Sequence, residues 1–264
     1  MAITTLDGAI AGMQPPWMFS KGTPGTPVAG RPQSFWALAG FPGAGGYDTT
    51  LNGATLTSPQ NGQIPHNNPA SGNAYLAKLS AMTQQACVVL LLDRIWQNRL
   101  ANATGAQAIT SPTWPARDSG GLTDGDGVLL ALEFSTGSTA GTPTAAVTYT
   151  NEAGTGSRTA NLIDAVTAMT AASSFLRYGL QAGDKGVRSV QSVSLSATLT
   201  GGVVNLVAYR VIATLELVAN IPNALDVLTG GMPRIYDGSV PFLALVPSTT
   251  STTTLTGSYI ETQG

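Results

Sequence analysis

One cysteine, one histidine and three lysines stand in 264 residues, and these scarcities remove most chemistry before any motif is sought. A single thiol, Cys87, permits no intramolecular disulfide, and with Val88 to Leu92 behind it this residue reads as part of a core. The single imidazole, His66, lies between Pro65 and Asn67. A histidine-based zinc site or a Ser-His-Asp triad would have to use it, and no Gly-x-Ser-x-Gly elbow accompanies it, so a surface-loop histidine is expected. Charged residues make up 10% of the chain, against roughly 25% in ordinary soluble proteins. A monomer so poor in charge is weakly protected against association, so this chain is expected to cover surface with neighbours. A net charge of −2 with scattered arginines lacks the clustered cations that neutralise phosphates, and no nucleic-acid partner is expected. The longest apolar run, Cys87 to Leu92, falls far short of the roughly 20 residues of a spanning helix, so no membrane partner is expected. Met1 to Met13 has no basic segment followed by an apolar core, hence no signal peptide is expected and synthesis in a cytoplasm is.

What is present is backbone punctuation and alternation. Gly 31 and Pro 16, among many Ser and Thr, suit a loop-rich β protein, and a hydrophobic fraction of 43% argues against disorder. Ser192, Ser194, Ser196, Thr198 and Thr200 alternate with Val193, Leu195, Ala197 and Leu199, the period of a half-buried strand. Gly201-Gly202 then offers a two-residue turn into the β-branched run Val203 to Leu215, which reads as a hairpin with Leu199 facing Val204 and Leu195 facing Ala208. Val207, Tyr209, Val211 and Ala213 on the other face of the returning strand predict that it is covered on both sides. Tyr75 to Arg99 fits either a helical stripe or strands at 75–83 and 87–97, and strands are expected. Further strands are expected at Val128 to Phe134 and Val240 to Val246. A hairpin is expected where Thr144 to Thr150 and Arg158 to Val166 flank Asn151 to Gly156, one helical turn at Asn223 to Leu228, and a threonine-rich strand or tail at Thr249 to Thr256.

The first seventy residues differ from the rest. Nine prolines from Pro15 to Pro69 prevent a long helix or a central strand, yet Trp17, Phe19, Phe35, Trp36, Phe41 and Tyr47 sit among them. An extended arm is expected, 1–70, anchored by these six rings onto another surface, its own body or a neighbour. Residues 71–264 are expected to form the body. An ordinary loop packed on its own domain is an equal alternative.

The catalytic motifs are incomplete. Asp124-Gly-Asp-Gly begins like a calcium loop, but apolar residues follow where ligands should, and Glu133 comes too early for the closing acid. Gly179 to Lys185 lacks the Lys-Ser/Thr step of a P-loop, and Gly43-Ala-Gly-Gly has neither the strand nor the helix of a dinucleotide fingerprint. Asp93, Asp118, Asp124, Asp126 and Glu133 remain open as a glycosidase pair. Aromatic platforms are scarce outside the arm, so Asp93-Arg94, Asp184-Lys185 and Arg234 near Asp237 read as local or intersubunit ion pairs. No catalytic, cofactor or metal residue is assigned.

Three stretches together resemble structural proteins of tailed bacteriophages: Ser34-Phe-Trp-Ala-Leu-Ala-Gly-Phe-Pro-Gly-Ala-Gly, Leu180 to Ala197, and Gly231-Met-Pro-Arg-Ile-Tyr-Asp-Gly-Ser-Val. The middle one is the most specific, and Leu90-Leu-Leu-Asp-Arg-Ile-Trp also looks like a strand of that family. The resemblance implies a virion protein without catalytic activity or cofactor, and within that class a head decoration or cement protein that bridges capsomers. Its implied partners are the phage major capsid protein and copies of itself, as a trimer. Its implied fold is mainly β, a β-sandwich or jelly-roll-like body carrying the N-terminal arm. A tail or head-fibre subunit and a carbohydrate-binding module are the alternatives.

Overall fold

Alternating and β-branched runs become strands along nearly the whole chain, and among the described residues the one helix is Leu6–Ala11, capped by the Thr5 hydroxyl accepting from the Gly8 amide. The structure is a computed structural model that describes every residue except 1, 2, 24, 26, 52, 102, 103 and 168. The expected strands at 75–83 and 87–97 occur as Ala74–Met82 and Cys87–Arg99, and those at 128 and 240 as Val128–Thr136 and Pro241–Pro247. The strands fall into two large antiparallel sheets, the β-sandwich or jelly-roll class expected.

The chain forms two compact units: residues 1–45, 57–93 and 211–264 make the first, residues 46–56 and 94–210 the second. These boundaries differ from the expected 1–70 arm and 71–264 body. The reason is that the two longest strands, Cys87–Arg99 and Val203–Leu217, each contribute to both units.

In the first unit a six-stranded sheet is built around Thr254–Gln263. That strand pairs with Ala74–Met82 on one side and Trp17–Gly22 on the other, while Gly40–Phe41 continues the sheet beyond Trp17–Gly22. The N-terminal region is thus extended, but from Trp17 it is an interior strand of a sheet. Its inward residues Phe19 and Lys21 are buried. The Phe19 ring lies on Gly257, where an added Cβ would collide with both the ring and the Ser80 carbonyl. Phe19, Phe35, Leu79, Leu91, Leu255 and Tyr259 are among the core residues. Trp36, buried beside them in the same unit, meets Phe242 edge-on at 6.0 Å between ring centroids.

In the second unit the strands run in the order Val203–Leu217, Val128–Thr136, Phe175–Gly179, Arg158–Leu162, Ala145–Asn151, Val187–Leu195 and Gly105–Ala108. Their inward residues, among them Leu130, Leu132, Phe134, Val147, Tyr149, Val193 and Leu206, form its core, and Trp96 packs on Trp114 at 5.5 Å. The hairpin around Asn151 to Gly156 forms as expected, with Arg158 opposite Tyr149.

The expected hairpin across Gly201-Gly202 does not form. Val187–Leu195 pairs with Ala145–Asn151 and Gly105–Ala108, and Val203–Leu217 pairs with Val128–Thr136. The apolar residues are buried as the alternation requires, Leu195, Leu199, Val204 and Leu206 included. Alternation specifies a face and leaves the partner strand open. Register shifts after Val187 and after Val190 add a residue each, which is why Val187, Val190 and Val193 share the buried face at a spacing of three. Asn223 to Leu228 is a short strand, Asn223–Leu225, followed by a turn in which the Asp226 carboxylate accepts from the amides of Leu228 and Thr229. At the C-terminus the strand begins at Thr254 rather than Thr249.

Candidate interaction surface

The outward face of the first unit's sheet follows from its register. Directly paired residues of an antiparallel sheet point to the same side. One rung is therefore Phe41, Ser20, Thr256 and Met82, and the next is Met18, Ser258, Ser80 and Ala224. The Ser80 and Ser258 hydroxyls meet at 2.8 Å, as residues sharing a face must. Met18, Phe41 and Met82 are 58%, 49% and 42% exposed, and neither rung contains a charged residue. Ile260 and Lys78 pair on the following rung and bring the first charge. Charge-free, part-apolar sheet faces of this kind lose little by desolvation and suit burial against a partner.

The six predicted ring anchors do not form one surface. Phe19, Phe35 and Trp36 belong inside the first unit, each at most 2% exposed. Tyr47 lies in the second unit, its ring 5.8 Å from the Arg94 guanidinium, and burial beside the Glu133 carboxylate pushes its hydroxyl pKa far up. Phe41 faces outward, and Trp17, of the same parity as Phe19, is 38% exposed at the end of its strand. Proline content marks an extended chain, but an extended chain can equally be a strand whose rings complete the local core.

Lys21 explains how the loop after this strand is held. Its ammonium donates to the carbonyls of Phe35 at 2.8 Å, Leu38 at 3.2 Å and Gly43 at 3.2 Å, and burial lowers its pKa to about 8. His66 is not on the surface: it is 5% exposed, with Nδ1 2.7 Å from Glu261 Oε1. Adjacent residues of a strand face opposite ways, so Asp93 and Arg94 reach partners on different sides. Asp93 accepts from the Ser239 hydroxyl at 2.9 Å and the Val240 amide at 2.8 Å. Arg94 and Glu133, both wholly buried, meet at 2.6 Å. Asp184 takes Arg158 at 2.8 Å, with the Tyr149 hydroxyl at 2.5 Å and Asn151 at 2.8 Å, so Arg158 foremost holds it well below the usual carboxylate range. Arg234 donates to the Asn73 side chain and lies over the Tyr236 ring.

The Asp124 loop is organised as a turn, because the Asp118 carboxylate accepts the amides of Gly120, Leu122 and Gly125. Asp124 itself pairs with Arg188 at 3.0 Å. Among the described residues no group of three His, Cys, Asp or Glu side chains is placed to hold a metal, and no helix is long and apolar enough to cross a membrane.

No protein-family model matches the chain, and no curated protein matches it. Among solved structures it is similar to the VP2 subviral particle of infectious bursal disease virus, at 10% identity and a TM-score of 0.20 over 96% of this chain and 80% of that one. The infectious bursal disease virus Gx strain structure gives 9% identity and a TM-score of 0.21 over 95% and 81%. A likeness this slight carries no argument about fold or function.

The outward rungs were not found from sequence. Met18 and Met82 are 64 positions apart by number, and only pairing through Thr256 and Ser258 brings them together. Trp17-Met-Phe is a continuous apolar run followed by Ser20 and Lys21, so no local alternation marks which face is covered.

Proposed function

We propose that this chain is a non-enzymatic structural protein of a tailed-phage virion, and within that class a head decoration protein that binds the outer capsid surface and bridges capsomers. The observation that carries the reading is the uncharged outward face bearing Met18, Phe41 and Met82. The resemblance of Ser34 to Gly45, Leu180 to Ala197 and Gly231 to Val240 to phage structural proteins supports it, as does a surface with few charges. In this reading the partners are the major capsid protein and further copies of the chain, as a trimer. A stable interface of about 800 Å² per partner would take in both rungs and their surroundings.

Met18→Asp and Met82→Asp place charges on this face without touching the core. Each is expected to weaken co-sedimentation of the purified protein with particles lacking it by tenfold or more, while the midpoint of thermal unfolding stays within a few degrees of wild type. Binding at wild-type strength by the double variant would count against the face. Immunogold labelling of tails rather than heads would replace decoration with a tail or fibre role.

A further inference from the structure

A second feature of the first unit lies at the other end of strand Trp17–Gly22. Gln14, Pro15, Trp17, Asn67, Glu261 and Gln263 line a cavity of about 140 Å³. Glu261 is 4% exposed, and its Oε1 accepts from the Tyr259 hydroxyl at 2.5 Å and stands 2.7 Å from His66 Nδ1. A carboxylate can only accept, so Nδ1 is the donor there. These two contacts fix the carboxylate, and Oε2 has no partner among the described residues. The Gln14 side-chain nitrogen donates to the Gly12 carbonyl at 3.0 Å, and that of Gln263 to the Asn67 carbonyl at 3.1 Å. Each amide nitrogen keeps a second N–H, and the two amide oxygens and Glu261 Oε2 stand as acceptors beside an indole.

The geometry points to a binding site for a guanidinium group. Three acceptors match a planar fork of five N–H donors, and Trp17 offers the aromatic face on which such a cation stacks. The volume is well under the roughly 300 Å³ of the smallest drug-sized pockets, which suits the head of one side chain or a small free cation. What favours a cation over a neutral saccharide is the Glu261 carboxylate, held by Tyr259 and His66 beside the Trp17 indole. The site does not depend on where the chain sits in a particle.

The test titrates purified full-length protein with Nα-acetyl-arginine amide, its neutral isostere Nα-acetyl-citrulline amide, agmatine and methyl glucoside, reading the Trp17 indole resonance by NMR, assigned with Trp17→Phe. The arginine compound is expected to shift that resonance saturably, with citrulline at least tenfold weaker and the shift lost in Glu261→Gln. Should Glu261→Gln fail to fold, Trp17→Ala, at a partly exposed position, is expected to weaken arginine binding measured by calorimetry tenfold. Arginine binding more tightly than agmatine would identify a protein side chain as the source of the guanidinium, and equal binding a free small cation. Equal response to citrulline, preference for methyl glucoside, or no response to millimolar arginine would overturn the assignment.

Discussion

At the scale of single residues the molecule is governed by a few buried polar groups whose partners are remote in sequence. Lys21 is one: Lys21→Met should destabilise by about 1–3 kcal/mol in urea unfolding, because three carbonyls lose their donor. Its titration has a definite sign. The folded value of about 8 lies below the roughly 10.4 of an unfolded lysine, so between these values the unfolded chain binds the extra proton and this group makes stability rise with pH. Below about pH 8 both states are protonated and the contribution is flat. Urea midpoints across pH 7.5 to 10, with Lys21→Met as the reference, should isolate that slope, and an identical profile in the variant would contradict it. Arg94 and Glu133 are a second case. Removing one partner leaves a buried charge and should cost about 3–5 kcal/mol, whereas Arg94→Met with Glu133→Leu should cost clearly less than the two single changes summed. An additive double-mutant cycle would mean that the pair is uncoupled.

At the scale of elements, close approach matters as much as apolar content. Gly257 sits where Phe19 crosses the sheet, and Gly257→Ala is expected to destabilise by about 1–3 kcal/mol, since the new methyl group meets backbone and ring at once. Phe19→Leu in the same background should recover part of the loss, and a fully stable Gly257→Ala would show that the ring is free to move. Strand existence was legible from the sequence: Ala74–Met82, Cys87–Arg99, Val128–Thr136 and the Asn151 hairpin all stand near their expected places. Strand partnership was not. The Ser and Thr alternation from Ser192 placed Val193 and Leu195 on the buried face, but the Gly201-Gly202 step is not a hairpin turn, because Ala145–Asn151 offers the matching alternation of Ala145, Val147 and Tyr149.

At the scale of the whole molecule, the N-terminal residues are a structural part of the first unit. Phe19, Phe35 and Trp36 are buried there, and each such side chain contributes about 1.5–3 kcal/mol by burial. Deleting residues 1–47 removes all three together with the strand that pairs along Thr254–Gln263, so the truncated chain should lose cooperative unfolding and elute as aggregate. Circular dichroism and sizing decide this, and a monodisperse, folded product would restore the idea of a detachable arm.

The sequence by itself determined the class of the protein: period-two alternation and frequent glycine and proline dictate strands and turns, and apolar residues choose their buried faces, because those preferences act over a few neighbouring residues. The tertiary structure alone decided which strands pair, that the aromatic N-terminal region completes a core, that His66 lies buried against Glu261, and that Met18, Phe41 and Met82 share one exposed face. Each of these depends on residues tens to hundreds of positions apart, and their meeting is settled by the competition among all strands for complementary neighbours, which local pattern does not encode.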